Sequence, residues 1–133
     1  PPQSSQKTSL QTGFSAKMIR YYEDIGLLSA IKRTDAGYRM YQDEHVQTLN
    51  FIQHAKDLGF DTEKIRELLS LWKNKDRMNM QVKSLALQHI DELKLKIDQL
   101  EKMVQILQHS ADHCSGIGST DCPILEHIQK GVL

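Results

Sequence analysis

Between Ala86 and Leu107 the apolar residues fall at Ala86, Ile90, Leu93, Ile97, Leu100, Val104 and Leu107, in alternating steps of four and three. That spacing is a heptad seam, and it runs without glycine or proline. Around it stand charges: Asp91, Glu92, Lys94, Lys96, Asp98, Glu101 and Lys102. A helix over residues 76–110 with one narrow apolar stripe is not stable alone and needs a partner helix. No second segment carries a matching seam. The simplest partner is another copy of the chain, so the sequence predicts a homodimer joined through Ile90, Leu93, Ile97, Leu100, Val104 and Leu107. The competing reading packs this helix on the chain's own remainder.

At 133 residues the chain has room for a small domain with an extension. Its 17 basic and 17 acidic residues balance, so no global field draws it to a polyanion. The distribution is uneven, however. Residues 1–40 hold six basic side chains (Lys7, Lys17, Arg20, Lys32, Arg33, Arg39) against three acidic ones (Glu23, Asp24, Asp35). No apolar run approaches the roughly 18–20 residues that span a bilayer. No signal peptide follows the opening Pro1-Pro2-Gln3-Ser4-Ser5-Gln6, so no membrane association and a cytoplasmic location are expected.

Ser9 to Gly13 reads as a short helix ending at a glycine, and Ser15 as the N-cap of the next helix, Ala16 to about Asp24. Met18, Ile19 and Tyr22 form its apolar side, while Lys17, Arg20 and Tyr21 face outward. Two helices at a glycine-bearing corner, the second basic and aromatic outside, match a helix-turn-helix. Lys32 to Tyr41, with its Asp35-Ala36-Gly37 turn, reads as a small hairpin or wing. Arg33, Tyr38 and Arg39 suit phosphate contacts there, and Tyr41 suits the core. Asp43 to about Leu58 and Thr62 to about Trp72, capped by Asp61, are two further amphipathic helices. Trp72 is expected in the core or an interface, and His45, His54 and His89 on the surface. No Ser-His-Asp arrangement, glycine-rich phosphate loop or carboxylate pair marks an enzyme.

The only two cysteines, Cys114 and Cys122, enclose a small, polar, glycine-bearing loop. A cytoplasmic, reducing setting disfavours a structural disulfide. Two thiolates without an evident third ligand suit a soft monovalent ion: Cu(I), with Ag(I) and Au(I) equally compatible. Two alternatives stay open. His109, His113 and His127 flank the loop and could complete a Zn(II) site with one or both cysteines. A redox sensor would need a thiol of lowered pKa, and no basic residue lies within the loop to provide one. Pro123 opens a short helix whose Ile124, Leu125 and Ile128 are expected as an apolar lid.

Four strings together resemble the MerR family of transcription regulators: Thr12-Gly-Phe-Ser-Ala-Lys-Met-Ile-Arg-Tyr-Tyr-Glu23, Gly26-Leu-Leu28, Arg33-Thr-Asp-Ala-Gly-Tyr-Arg-Met-Tyr41 and Leu58-Gly-Phe60. The likeness covers nearly the whole chain. The cysteine loop ending Cys122-Pro123-Ile124 is similar to the copper-responsive, CueR-like branch. The resemblance implies a mainly α fold in three parts: a winged helix-turn-helix head over residues 1–72, a dimerisation helix over 76–110 forming an antiparallel coiled coil, and a metal-binding loop with a short helix over 111–133. It implies a homodimer on double-stranded promoter DNA whose −35 and −10 elements are spaced too far apart. Effector binding distorts that DNA so that RNA polymerase can engage it, activating efflux or detoxification genes. By motif position Lys17, Arg20 and Tyr21 are the recognition-helix residues, Arg33, Tyr38 and Arg39 the wing residues, and Cys114 and Cys122 the metal ligands. The family's divalent-ion sensors carry a further cysteine near the start of the dimer helix. Here that position is Asn79, which favours a monovalent ion. The chain departs from the pattern before Ser9 and at Ala30, where proline is common.

Overall fold

The computed structural model describes residues 2–114 and 122–131. It divides into two compact units, Pro1–Val82 and Lys83–Leu133.

The first unit begins with a strand, β1 (Gln3–Ser4), and continues through helices α1 (Ser5–Thr12) and α2 (Ala16–Asp24). Strands β2 (Lys32–Arg33) and β3 (Arg39–Tyr41) follow, then α3 (Asp43–Asp57) and α4 (Thr62–Lys73). The strands form one antiparallel sheet in the order β1-β3-β2, with Gln3 opposite Tyr41 and Arg33 opposite Arg39.

The expected start of α1 at Ser9 is corrected. The helix begins at Ser5, and Ser4 is its N-cap, its hydroxyl accepting from the Lys7 amide at 3.2 Å. The residues before Ser9 are built into the fold: Gln3 is buried and its amide donates to Thr8 Oγ1. The first turn of α1 escapes sequence reasoning because the helix's buried face is polar. Thr8 and Thr12 point inward, and their hydroxyls donate back to the Ser4 and Thr8 carbonyls. Such back-bonding satisfies a buried hydroxyl without an apolar periodicity to reveal it.

The core gathers around Ile19, Tyr22, Tyr41, Leu49, Ile52 and Ile65, with Phe14, Leu27, Leu28 and Leu69 beside them. Tyr41 is fully buried, as expected. Each such side chain contributes about 1.5–3 kcal/mol when fully withdrawn from water. Trp72 lies at the core's edge, stacked on Phe51 with ring centres 4.5 Å apart and planes 13° from parallel.

His45 was expected on the surface and is instead buried, at 4% exposure. It stands at the third position of α3, where its Nδ1 accepts from the Gln42 amide at 2.9 Å. With that nitrogen accepting, Nε2 carries the proton and faces Ser29 Oγ at 3.0 Å. The imidazole thus serves the reciprocal capping role usually filled by Glu or Gln.

The long helix α5 spans Asn79–Asp112. Its start, three residues later than expected, follows from a local turn: the Asp76 amide donates to Asn74 Oδ1 at 3.0 Å, an arrangement that diverts the chain from helix. At 34 residues it is about 50 Å long. The second unit holds most of α5 and α6 (Pro123–Lys130). No described helix is both long and apolar enough to cross a membrane.

Candidate nucleic-acid interface and candidate metal centre

α1 stops at Gly13, whose φ of +77° is the left-handed conformation that closes a helix at little cost for glycine. Its amide returns to the Ser9 carbonyl at 2.9 Å, and Ser9 Oγ donates to the Phe14 carbonyl beyond it. Ser15 then caps α2 by accepting from the Met18 amide at 3.1 Å. This corner aims α2 so that Ile19 and Tyr22 enter the core while Lys17, Arg20 and Tyr21 remain exposed. The three recognition-helix residues read from sequence therefore share one solvent face.

The wing is a short hairpin. The Thr34 amide donates to the Tyr38 carbonyl, and the Gly37 amide to the Thr34 carbonyl, both at 2.8 Å. Tyr38 is 72% exposed at its tip. Arg33 Nη1 donates to the Gly37 carbonyl at 3.0 Å, holding its guanidinium beside the turn. Arg33 and Arg39 are cross-strand partners, and like charges so placed destabilise a hairpin. Arg39 is relieved by Glu23 of α2, whose Oε2 accepts from its Nε at 3.1 Å. The sequence-predicted wing residues thus differ: Arg33 and Tyr38 are exposed, whereas Arg39 is tied to α2.

One basic residue near this corner is not singled out by the sequence. Lys56, on α3, places its ammonium 5.5 Å from the Phe14 ring centre and 5.9 Å from that of Tyr22. This cation–π seat brings it to the helix-turn-helix corner. Nothing in the sequence marks a lysine on α3 as a neighbour of Phe14.

In the second unit, Cys114 follows α5 and Cys122 is the N-cap of α6. The residues between them, 115–121, lie outside the described part. The Cys114 side chain lies near enough to Cys122 to act on its thiol. The pKa of Cys122 is lowered, first by the backbone amide of Leu125 and then by that of Ile124 and by the Cys114 side chain. These are the free N–H groups of a helix start, which favour an anion. The sequence shows no basic residue within the loop, and the helix end lowers the thiol's pKa without one.

Two of the flanking histidines have partners at Nδ1. His127 Nδ1 is hydrogen-bonded to Ser110 Oγ. His113 Nδ1 lies 2.7 Å from the His109 carbonyl, and the two rings stand 4.2 Å apart. Among the described residues, no cluster of three or more His, Cys, Asp or Glu is arranged to hold a metal. Ile124 and Ile128 line an apolar groove against α5, although Ile128, like Leu125, is largely exposed; the loop that the expected lid would cover lies outside the described residues. Along α5 the seam residues Ile90, Ile97, Leu100, Val104 and Leu107 are exposed in the single chain, Leu100 at 59% and Val104 at 63%. Leu93 is half-buried and Asn79 is the exposed first residue of α5.

Comparison with known proteins decides the family. The MerR HTH family regulatory protein model matches residues 4–72, and the model described as MerR, DNA binding matches residues 46–110. The chain belongs to the MerR family. Among its MerR relatives, the HTH-type transcriptional regulator HmrR of Sinorhizobium medicae is 50% identical over 94% of this chain and 85% of its own length. The HTH-type transcriptional regulator CueR of Escherichia coli O6:H1 is 35% identical over 88% of this chain and 87% of its own. In structure the chain is similar to the transcription regulator PbrR691 from Ralstonia metallidurans CH34, solved in complex with lead(II). The TM-score is 0.80, with 25% identity over 95% of this chain and 98% of that one. As a MerR protein it is a transcription regulator and not an enzyme.

Proposed function

We propose that this protein is a Cu(I)-responsive transcriptional activator, with Ag(I) or Au(I) as possible effectors, acting as a homodimer on promoter DNA. The observation that carries the reading is the adjacent thiol pair Cys114–Cys122, with Cys122 at the amino end of α6. A metal-binding thiol must lose its proton, and amides directed at Cys122 make that loss easier. Two thiolates supply the soft, anionic donor set that a monovalent ion takes. Asn79, where the family's divalent sensors carry a cysteine, supports the same charge state. The relatives named for heavy-metal-dependent regulation support a metal effector in general, and CueR at 35% identity supports this branch.

On the DNA side, Lys17, Arg20 and Tyr21 of α2 would enter the major groove while Arg33 and Tyr38 follow the backbone. Arg39 would act mainly by joining the wing to α2 through Glu23, and Lys56 would add a phosphate contact at the corner. The exposed stripe Ile90–Leu107 would be covered by the partner's α5 in an antiparallel coiled coil. The effector state would then be read out as promoter distortion that lets RNA polymerase engage misaligned elements.

The zinc alternative requires His127, His113 or His109 as ligands. His127 and His113 engage Nδ1 elsewhere, an arrangement that leaves ligation through Nε2 open, so the metal assay separates this reading. The redox alternative gains from the lowered Cys122 pKa and is separated by experiment. Anaerobic in vitro transcription from a long-spacer promoter, at buffered Cu(I), Ag(I), Zn(II) and Hg(II), should show activation by the monovalent ions alone. Activation by Zn(II) would replace this reading, and activation by peroxide without metal would favour the redox one.

A further inference from the structure

Ser110 is the only buried residue of α5 among those described, at 1% exposure. Every apolar seam position around it is more exposed, so a polar residue occupies the best-covered place on the helix. Its hydroxyl meets His127 Nδ1 of α6. Around this bond Met103, Ile106 and Leu107 of α5 face Ile124 and Ile128 of α6 across an apolar groove of about 340 Å³.

α6 has eight residues, too few to hold itself as a helix. Its apolar contacts are non-directional and incomplete, since Leu125 and Ile128 stay largely exposed. Such contacts alone would let a short helix turn or slide. A buried hydrogen bond does not, because only one register satisfies both atoms, and an unmet buried hydroxyl is costly. The bond and the thiol pair are two rungs between the same segments. Cys114 lies one helical turn beyond Ser110, and Cys122 lies five residues before His127.

The geometry points to Ser110 and His127 as positioning residues for the thiol pair: their hydrogen bond sets the register of α6 on α5 and so keeps Cys122 opposite Cys114. The inference rests on the metal site of the proposed function, but the positioning itself concerns only this chain's atoms. Without the bond, only the non-directional contacts of the groove hold α6 on α5, and bringing the two thiols together must overcome the freedom those contacts leave. His127 then acts through the register it imposes and is not a metal ligand.

The test uses the full-length dimer under anaerobic conditions, in variants Ser110→Ala, His127→Phe, His127→Asn and the double variant Ser110→Ala/His127→Phe. Two quantities are read. One is Cu(I) affinity by competition with a chromophoric chelator. The other is bridging of the metal-free thiol pair by phenylarsine oxide, which requires two adjacent thiols and no copper. Losing one buried hydrogen bond should weaken both by up to about tenfold. Ser110→Ala and His127→Phe should behave alike, and the double variant should be no worse than either. His127→Asn, which keeps a hydrogen-bonding atom near Nδ1, should recover to within about threefold. Operator affinity of the metal-free protein should not change.

Unchanged arsenical bridging in both single variants overturns the inference, as do additive losses in the double variant. Loss of Cu(I) affinity in His127→Phe with none in Ser110→Ala also overturns it, because His127 would then be a ligand. If the wild type binds no Cu(I) while the variants still lose arsenical bridging, the copper reading falls and the positioning role stands.

Discussion

The guanidinium of Arg39 is bound to the carboxylate of Glu23, Nε to Oε2 at 3.1 Å, with both side chains less than a quarter exposed. The pair joins β3 of the wing to α2, so the two elements expected at DNA are held to each other before any DNA is present. It also removes the repulsion that Arg33 and Arg39 would otherwise exert across the hairpin.

That pair should appear in a double-mutant cycle. Glu23→Gln and Arg39→Gln, each measured by urea unfolding, should give a coupling of about 1 kcal/mol with their double variant. A coupling indistinguishable from zero would mean that the contact does not persist in solution.

Gly13 tests the helix-turn-helix corner. Its φ is +77° and a Cβ there would meet nothing within 4 Å. Gly13→Ala should therefore cost only the conformational penalty, about 1 kcal/mol, in chemical denaturation. A loss several times larger would show a steric role that the open space around it does not predict.

Arg20 is exposed on the outer face of α2. Arg20→Ala should weaken operator binding by about 1–3 kcal/mol if it reads a base, with little change in stability. Lys56→Ala should instead lower affinity for all sequences alike and reduce its salt dependence. Equal affinity of wild type and Arg20→Ala in a mobility-shift titration removes Arg20 from the interface.

Cys114→Ser and Cys122→Ser should each abolish metal-dependent activation while operator affinity stays within a few-fold. Retained activation by either variant would mean that the ion is held elsewhere.

Leu100 lies mid-seam and is 59% exposed in the single chain. Leu100→Asp should dissociate the dimer, because an unpaired carboxylate would be buried at the helix pair. Light scattering that still reports twice the chain mass would sink the assignment of this stripe as the interface.

Patterns within one element were legible in the residues alone. Ser15 and Asp61 are caps, as a hydroxyl or carboxylate before an amphipathic run predicts. Ile19 and Tyr22 point inward because helical spacing puts them on one side. The long helix was visible because its apolar steps of four and three persist for many turns. Where a buried face is polar the signal vanishes, as with Thr8 and Thr12 of α1 and with His45. Contacts between distant residues left no trace in spacing. Lys56 over Phe14, Glu23 with Arg39, and Ser110 with His127 are each set by how separate elements dock. So is the lowered pKa of Cys122, which depends on amides at the start of α6 and not on any neighbouring charge in the chain. Periodicity and capping are written over a few residues, because they follow from backbone geometry. Which side chains meet across elements is decided only when the core closes, because many sequences share each local pattern and packing selects one arrangement among them.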